Sequence, residues 1–209
     1  MTDRVLVVGA GGHARVAIEV LVAGGSTVAG CLSLDGRARA ELGVPLLGLE
    51  SELEEWIGTG HAHVFVAIGD NAARLAVAAR VRAAGGTLVS AVSVHAVVSP
   101  SAVVGPGTLL MPGAVVNAGT VLGDVVIVNT NASVDHDCVV GAGAHIAPGV
   151  AVAGDVTIGE GTFVGIGSCV LPGVIVGDRA VVGAGSVVAR DVPAGVTVVG
   201  IPARPTGAA

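Results

Sequence analysis

From Val98 onward every sixth residue is a branched aliphatic: Val98, Val104, Leu110, Val116 and so on, without a slip, to Val188. Four residues after each stands a small or β-branched residue, from Ala102 and Thr108 through Cys138 to Val192. The positions between are rich in Gly, Pro, Asn and Asp, which form turns. Each hexad therefore predicts a two-residue strand and a corner, with the aliphatic pointing inward. Three hexads close one triangular coil, and coils stack at the roughly 4.8 Å spacing of paired strands. Sixteen hexads make about five coils of a parallel β-helix. A generic Val/Ala-rich β-protein would alternate with period two instead and would not hold a six-residue phase. The unbroken phase also predicts that no long loop leaves the coil between residues 98 and 193.

The first half reads differently. A buried strand at Arg4 to Gly9 runs into Gly9-Ala10-Gly11-Gly12-His13-Ala14 and a helix to about Ala23. A strand near Thr27 to Leu32, a helix near Glu50 to Ile57, a strand at His63 to Ile68, a helix from Asn71 to Ala84 and a last strand near Thr87 to Val92 follow. This alternation predicts a small Rossmann-like α/β unit with a parallel sheet, with the domain boundary at residues 95/96.

Gly9, Gly11 and Ala14 satisfy G-x-G-x-x-A, which turns backbone N–H groups and a helix N-terminus toward a phosphate. The unit has no second mononucleotide half and no clear ribose-binding acid, so a nucleoside diphosphate is favoured over a dinucleotide. Ligands of such sheets bind at the carboxyl ends of the strands. Here those ends carry Gly11, Gly12 and His13, then Ser33 and Asp35, then Gly69, Asp70 and Asn71.

Composition narrows the partners. All ten basic residues are arginines scattered without a run, and the net charge is −6, which argues against nucleic acid. Turn residues interrupt the apolar runs before the roughly 18 residues a membrane span requires. The start MTDRVLVVGAGG lacks the order of a secretory signal, and Cys31, Cys138 and Cys169 have neither an even count nor metal-like spacing. A cytoplasmic protein with reduced thiols and no metal is expected.

GAGGHA at 9–14, AIGDNAAR at 67–74, NTNASVDHDCVVGAGAHIAPG at 129–149, FVGIGSCVLPG at 163–173 and RDVPAGVTVVGIPARP at 190–205 occur in order across nearly the whole chain. Together they resemble the sialic-acid O-acetyltransferase and nucleotide-aminosugar N-acetyltransferase family of hexapeptide-repeat enzymes. The resemblance implies a left-handed winding for the β-helix, against the usual crossover rule. It implies acetyl transfer from acetyl-CoA to the 4-amino group of a nucleotide-linked amino-dideoxy sugar, with the nucleotide on residues 1–95 and the coenzyme and chemistry on residues 96–209. A homotrimer with interfacial active sites is implied as well, in a pathway of polysaccharide biosynthesis.

In SVDHDC, His136 matches the family's catalytic histidine; an imidazole suits removal of an amine proton near neutral pH. Asp137 matches the adjacent acid, and Asp135 is an equally placed alternative. His145 matches a position contacting the acetyl group or coenzyme. Gly154, Ile166 and Ala184 are expected to line the pantetheine arm, and Arg190 and Arg204 to lie near its phosphates. His13 matches a residue lining the sugar-nucleotide site. CLSLDG at 31–36 departs from the family's acidic run and leaves the nucleotide open. His145 follows His136 by one and a half hexads, which places the two at opposite ends of one prism face and calls for a second subunit to join them. His61, His63 and His95 are expected to be structural or surface residues.

Three alternatives compete. O-acetylation of a sialic acid would use the same motifs but leave the glycine turn without a phosphate. A non-catalytic β-helix scaffold that binds sugar nucleotides would not need the intact SVDHDC. A zinc enzyme of the carbonic-anhydrase type would need three converging histidines, more than the β-helix supplies.

Overall fold

The computed structural model describes residues 4–38 and 40–206. They form two compact units, Met1–Val94 and His95–Ala209.

The first unit is a parallel sheet flanked by helices. Its strands are β1 (Val5–Val8), β2 (Val28–Ser33), β3 (Leu46–Leu49), β4 (His63–Val66) and β5 (Thr87–Leu88), in the order β3-β2-β1-β4-β5. Helices α1 (Gly12–Ala23), α2 (Leu53–Gly58) and α3 (Asn71–Ala83) connect them. Every residue of β1 is buried, as a central parallel strand with both faces covered must be. Helix α1 buries Ala14, Ala17, Ile18 and Leu21, the spacing of one helical face.

Two elements depart from the sequence expectation. Strand β3 is an addition: VPLLGL carries Pro45 and Gly48, which suggest a loop, yet it pairs at the sheet edge where proline is tolerated, and the Pro45 carbonyl accepts the Cys31 N–H at 2.9 Å. The strand expected over Thr87 to Val92 is two short pieces, Thr87–Leu88 and Ala91–Val92.

The second unit is a left-handed parallel β-helix of two-residue strands. One sheet stacks Val97–Val98, Val115–Val116, Ser133–Val134, Ala151–Val152, Cys169–Val170 and Val187–Val188. A second stacks Val103–Val104, Val121–Leu122, Val139–Val140, Thr157–Ile158 and Ile175–Val176. The third runs through Leu109–Leu110, Ile127–Val128, His145–Ile146, Phe163–Val164, Val181–Val182 and Thr197–Val199. Neighbouring strands pair residues 18 apart, as in Val115↔Ser133 and His145↔Phe163, until Val176 meets Val192 and Val181 meets Thr197. Three hexads per coil and an absence of long excursions are therefore borne out, and only the last coil is two residues shorter.

The aliphatic positions from Leu110 to Val188 are 0–1% exposed, while Val98 and Val104 at the mouth are only partly covered. Four residues on, the small positions are buried too, and their hydroxyls find partners in the next coil: Thr162 Oγ1 donates to the Gly177 carbonyl at 2.8 Å and Ser168 Oγ to that of Gly183 at 2.9 Å.

From Gly107 to Gly185 each corner has one residue with left-handed backbone, three after the aliphatic. Gly113, Gly119, Gly143 and Gly149 supply it without strain, but Val125, Asn131, Asp137, Asp155 and Arg179 also adopt it, with φ of 49–60°. Asn and Asp tolerate this region best among side-chain-bearing residues, which is how the repeat admits an acid at position 137. No helix among the described residues is long and apolar enough to cross a membrane.

Ile146 is fully buried at the middle of the stack. Ile146→Ala is expected to destabilise the second unit by about 2–5 kcal/mol, since a stacked coil collapses poorly around a cavity; the loss is read from the shift in its chemical denaturation midpoint.

Candidate functional site

The corner Asp135-His136-Asp137-Cys138 joins the strands Ser133–Val134 and Val139–Val140. Asp137 Oδ2 lies 2.9 Å from His136 Nδ1. A carboxylate only accepts, so Nδ1 carries the proton and Nε2 presents its lone pair outward. The Asp137 hydrogen bond, with the charges of Asp135, Asp137 and Asp155, holds the His136 imidazole above its ordinary range. Both side chains are more than half exposed.

Asp135 has a different duty. Its Oδ1 accepts from Asn117 Nδ2 at 2.8 Å and from the His136 backbone N–H at 2.8 Å, and these bonds hold its carboxyl below the usual range. Of the two acids left open by the sequence, Asp137 orients the ring and Asp135 acts on it through charge alone.

One coil further on, Gly154 lies against the ring: a Cβ there would sit 2.6 Å from both Cε1 and Nε2 of His136. Gly154 is buried for that reason. A groove of about 320 Å³ ends at this corner, lined by Asn117, Ser133, Asp135, Ala151, Ala153, Cys169 and Leu171.

His145 is elsewhere. It lies on the strand His145–Ile146 of the third sheet, whereas His136 sits at the corner between the first and second. In a triangular coil that corner is opposite the third face, so the two histidines are not at two ends of one face as expected; nine residues are half a coil. His145 packs edge-on against Phe163 with ring centroids 5.2 Å apart, and its Nε2 lies 3.1 Å from Asn129 Nδ2. Ile166 and Ala184 stack in successive coils of another corner, linked by Gly185 N–H to the Ile166 carbonyl at 2.8 Å. Both are exposed, and Gly154 is not on their edge. Arg190 and Arg204 flank a cavity of about 200 Å³ with Asp191 and Pro205 at the C-terminal end.

The first unit brings its predicted residues together at the carboxyl ends of β1, β2 and β4. A cavity of about 350 Å³ is lined by Gly9, Ala10, Gly11, Ser33, Leu34, Asp35, Arg37, Glu50, Ile68 and Ala73. A Cβ at Gly11 or Gly12 would meet nothing within 4 Å, so the turn is open. Gly9 has φ of 125°, and a Cβ there would strike the Ala67 carbonyl, so β1 and β4 can approach only with glycine at this position. Ser33 is 3% exposed with an Oγ that has no hydrogen-bond partner, and His13 Nε2 is likewise buried without one. Burial, and then the charge of Arg74, lowers the His13 imidazole below its ordinary range and keeps it neutral. Asp70 is spent locally: it caps α3 by accepting the Ala73 N–H at 2.8 Å.

Sequence reasoning missed Arg74. It is 1% exposed and donates to the carbonyls of Ile68 and Gly69 and to Asn71 Oδ1 at 2.8–3.1 Å. Burial brings its guanidinium down to about 10, opposed by Asp70. The available signal was its phase: Arg74, Val77, Ala78 and Val81 form the buried stripe of α3, so an arginine occupies a slot that helical periodicity reserves for an apolar residue.

Comparisons with known proteins bear on this arrangement. The PglD N-terminal domain profile matches residues 4–81 and that for bacterial transferase hexapeptides matches residues 155–190. The structure of PerB from Caulobacter crescentus, solved with CoA and GDP-perosamine, is 45% identical with a TM-score of 0.94, over 98% of this chain and 97% of that one. The chain belongs to the hexapeptide-repeat sugar N-acetyltransferases. It is an acyltransferase of that family. The acetyltransferase domain of PglB from Neisseria gonorrhoeae FA1090, in complex with acetyl coenzyme A, is 39% identical with a TM-score of 0.90, over 98% of this chain and all of that one. WeeI from Acinetobacter baumannii AYE is 26% identical with a TM-score of 0.72, over 97% and 99%. The perosamine N-acetyltransferase has also been solved with one histidine replaced by asparagine or by alanine. No match was found among curated proteins.

Two predictions follow from the corner. Gly154→Ala places a methyl where the imidazole stands, so kcat is expected to fall on the order of a hundredfold with an unchanged circular dichroism spectrum. A neutral imidazole acting as base at this corner would make kcat/KM rise with pH through the His136 pKa. Asp137→Asn removes the largest upward influence and should move that acidic limb to lower pH, and Asp135→Asn should move it the same way by less; a pH–rate profile of each variant checks the order.

Proposed function

We propose that this chain transfers the acetyl group of acetyl-CoA to the 4-amino group of a nucleotide-linked amino-dideoxy sugar, with His136 as general base. The observation that carries the proposal is the ring itself: Nδ1 is held by Asp137 and Nε2 is left to accept a proton, next in sequence to Asp135, which lines a groove. The neutral amine nitrogen attacks the thioester carbonyl, His136 Nε2 takes the amine proton, and a backbone N–H supports the oxyanion. As the C–S bond breaks, the proton is returned to the departing sulfur. An amide and the free thiol result, with no covalent enzyme intermediate.

The nucleotide is proposed to bind the first unit, its diphosphate on the open Gly11-Gly12 turn and its remaining polar groups toward Ser33, Asp35 and His13. The vacant hydrogen-bonding capacity of Ser33 Oγ and His13 Nε2 in a buried setting supports this, as does the position at the strand ends. For the coenzyme, the groove floored by Ser133 and Ala151 supports a pantetheine arm reaching His136, with Ile166, Ala184, Gly154 and His145 as further contacts. His136 and His145 lie on opposite sides of one coil, which supports a homotrimer in which the neighbouring subunit supplies His145. The three free cysteines are compatible with a cytoplasmic setting.

The test is release of coenzyme A thiol from acetyl-CoA with UDP-, GDP- and dTDP-linked 4-amino sugars and with free sialic acid. Turnover is expected with a nucleotide-linked amino sugar and not with sialic acid. His136→Ala should lose roughly a hundredfold or more of kcat, and His13→Ala should raise KM for the sugar nucleotide while leaving that for acetyl-CoA unchanged. Full activity of His136→Ala, or a fully active monomer in sedimentation, contradicts the proposal.

A further inference from the structure

The coil before the His136 corner is shaped to it residue by residue. In Asn117-Ala118-Gly119-Thr120, the Asn117 amide holds the Asp135 carboxylate and the Ala118 carbonyl accepts the Asp137 N–H at 2.9 Å. Gly119 leaves room for the Asp137 side chain, because a Cβ there would lie 2.5 Å from its Oδ1. Thr120 does the least expected thing. Many other corners close on themselves by a bond between their own ends, as Ala114 N–H does to the Met111 carbonyl at 3.0 Å and Ala132 N–H to that of Asn129 at 3.0 Å. At the His136 corner the Thr120 hydroxyl stands between the two ends. It donates to the Asp135 carbonyl at 2.6 Å and accepts the Cys138 N–H at 3.2 Å. Thr120 is fully buried, so neither bond has water as a substitute.

The two ends clamped by this hydroxyl are the residues immediately before His136 and immediately after Asp137. Their separation sets the backbone directions from which the imidazole and the carboxylate leave, and so the Nδ1···Oδ2 contact. Ser168 is placed in the same way at the corner Gly183-Ala184-Gly185-Ser186, donating to the Gly183 carbonyl and accepting the Ser186 N–H at 3.2 Å. Thr162, by contrast, donates to the Gly177 carbonyl while that corner still closes directly, Ala180 N–H to Gly177 at 3.2 Å.

Resting on His136 as the base, we infer that Thr120 is a positioning residue for the reaction: its buried hydroxyl sets the width of the corner and thereby aligns His136 with Asp137. The fold itself does not need a hydroxyl there, because the same position of other hexads holds Val126, Val150, Val156 and Val174.

The experiment compares Thr120→Val, Thr120→Ser, Thr162→Val and His136→Ala in the full-length enzyme, by kcat, KM, pH profile and thermal midpoint. Thr120→Val is expected to lose about tenfold or more of kcat, with KM for both substrates within twofold and the acidic limb moved to lower pH as the Asp137 contact loosens. Thr120→Ser should recover kcat and the limb. Thr162→Val, which deletes a buried hydroxyl at a corner that also closes by its own backbone bond, should lower the thermal midpoint comparably and leave kcat and the limb in place. With His136→Ala inactive, a Thr120→Val enzyme no different from Thr162→Val, or a Thr120→Ser enzyme as impaired as Thr120→Val, overturns the inference. If Thr120→Val does not fold, Thr120→Ser and Thr120→Ala decide it by the same limb and kcat. An active His136→Ala overturns the underlying mechanism instead.

Discussion

The β-helix rests on one constraint: each coil of 18 residues must lie in register on the last, and from Gly107 to Gly185 every corner then places one residue in left-handed backbone. That requirement falls on the third residue after each inward aliphatic. Glycine meets it at most corners, and where it does not, a side chain emerges from a rigid and repeated position. Asp137 is one such side chain. Its φ of 57° is imposed by the stack, not by the histidine beside it, so its carboxylate is oriented before any substrate arrives.

The His136 corner is thus a modified structural unit. The coil below supplies Asn117, Gly119 and Thr120, each matched to one part of Asp135-His136-Asp137-Cys138. The coil above supplies Gly154, whose missing side chain is the space the imidazole fills, and Asp155, whose N–H meets the His136 carbonyl at 3.0 Å. Cys138 completes the lock from inside, its thiol directed to the Ala153 carbonyl at 3.1 Å and raised by burial, which makes it an inert structural group. The Asp137 carboxylate that holds the exposed His136 ring in one tautomer leaves a backbone that is itself fixed by the coils below and above.

The second half was legible almost to the residue because its period of six is also its geometry: the inward aliphatics are the core, and their unbroken phase excluded loops. The first half was less so. Strand β3 is short, at an edge and carries Pro45 and Gly48, so local propensity argues against it and only pairing with β2 creates it. The site was legible as motifs rather than as contacts. His136 could be named, but the choice of Asp137 over Asp135 depends on which side chain Asn117 has already taken, and that is an 18-residue relation between coils. The face assigned to His145 was wrong because half a coil crosses the triangle instead of travelling along one side. Arg74 was hidden by its own helix, where an apolar stripe is the ordinary expectation.

The mechanism proposed for this corner requires that Asp137 fix His136 as the Nδ1–H tautomer with a raised pKa, leaving Nε2 to accept the proton. Nitrogen-15 NMR titration of the His136 ring measures both properties in one experiment. A neutral form protonated at Nδ1 is expected, with a midpoint above the ordinary imidazole value that falls in Asp137→Asn. A neutral form protonated at Nε2, or a midpoint indifferent to Asp137, would contradict it.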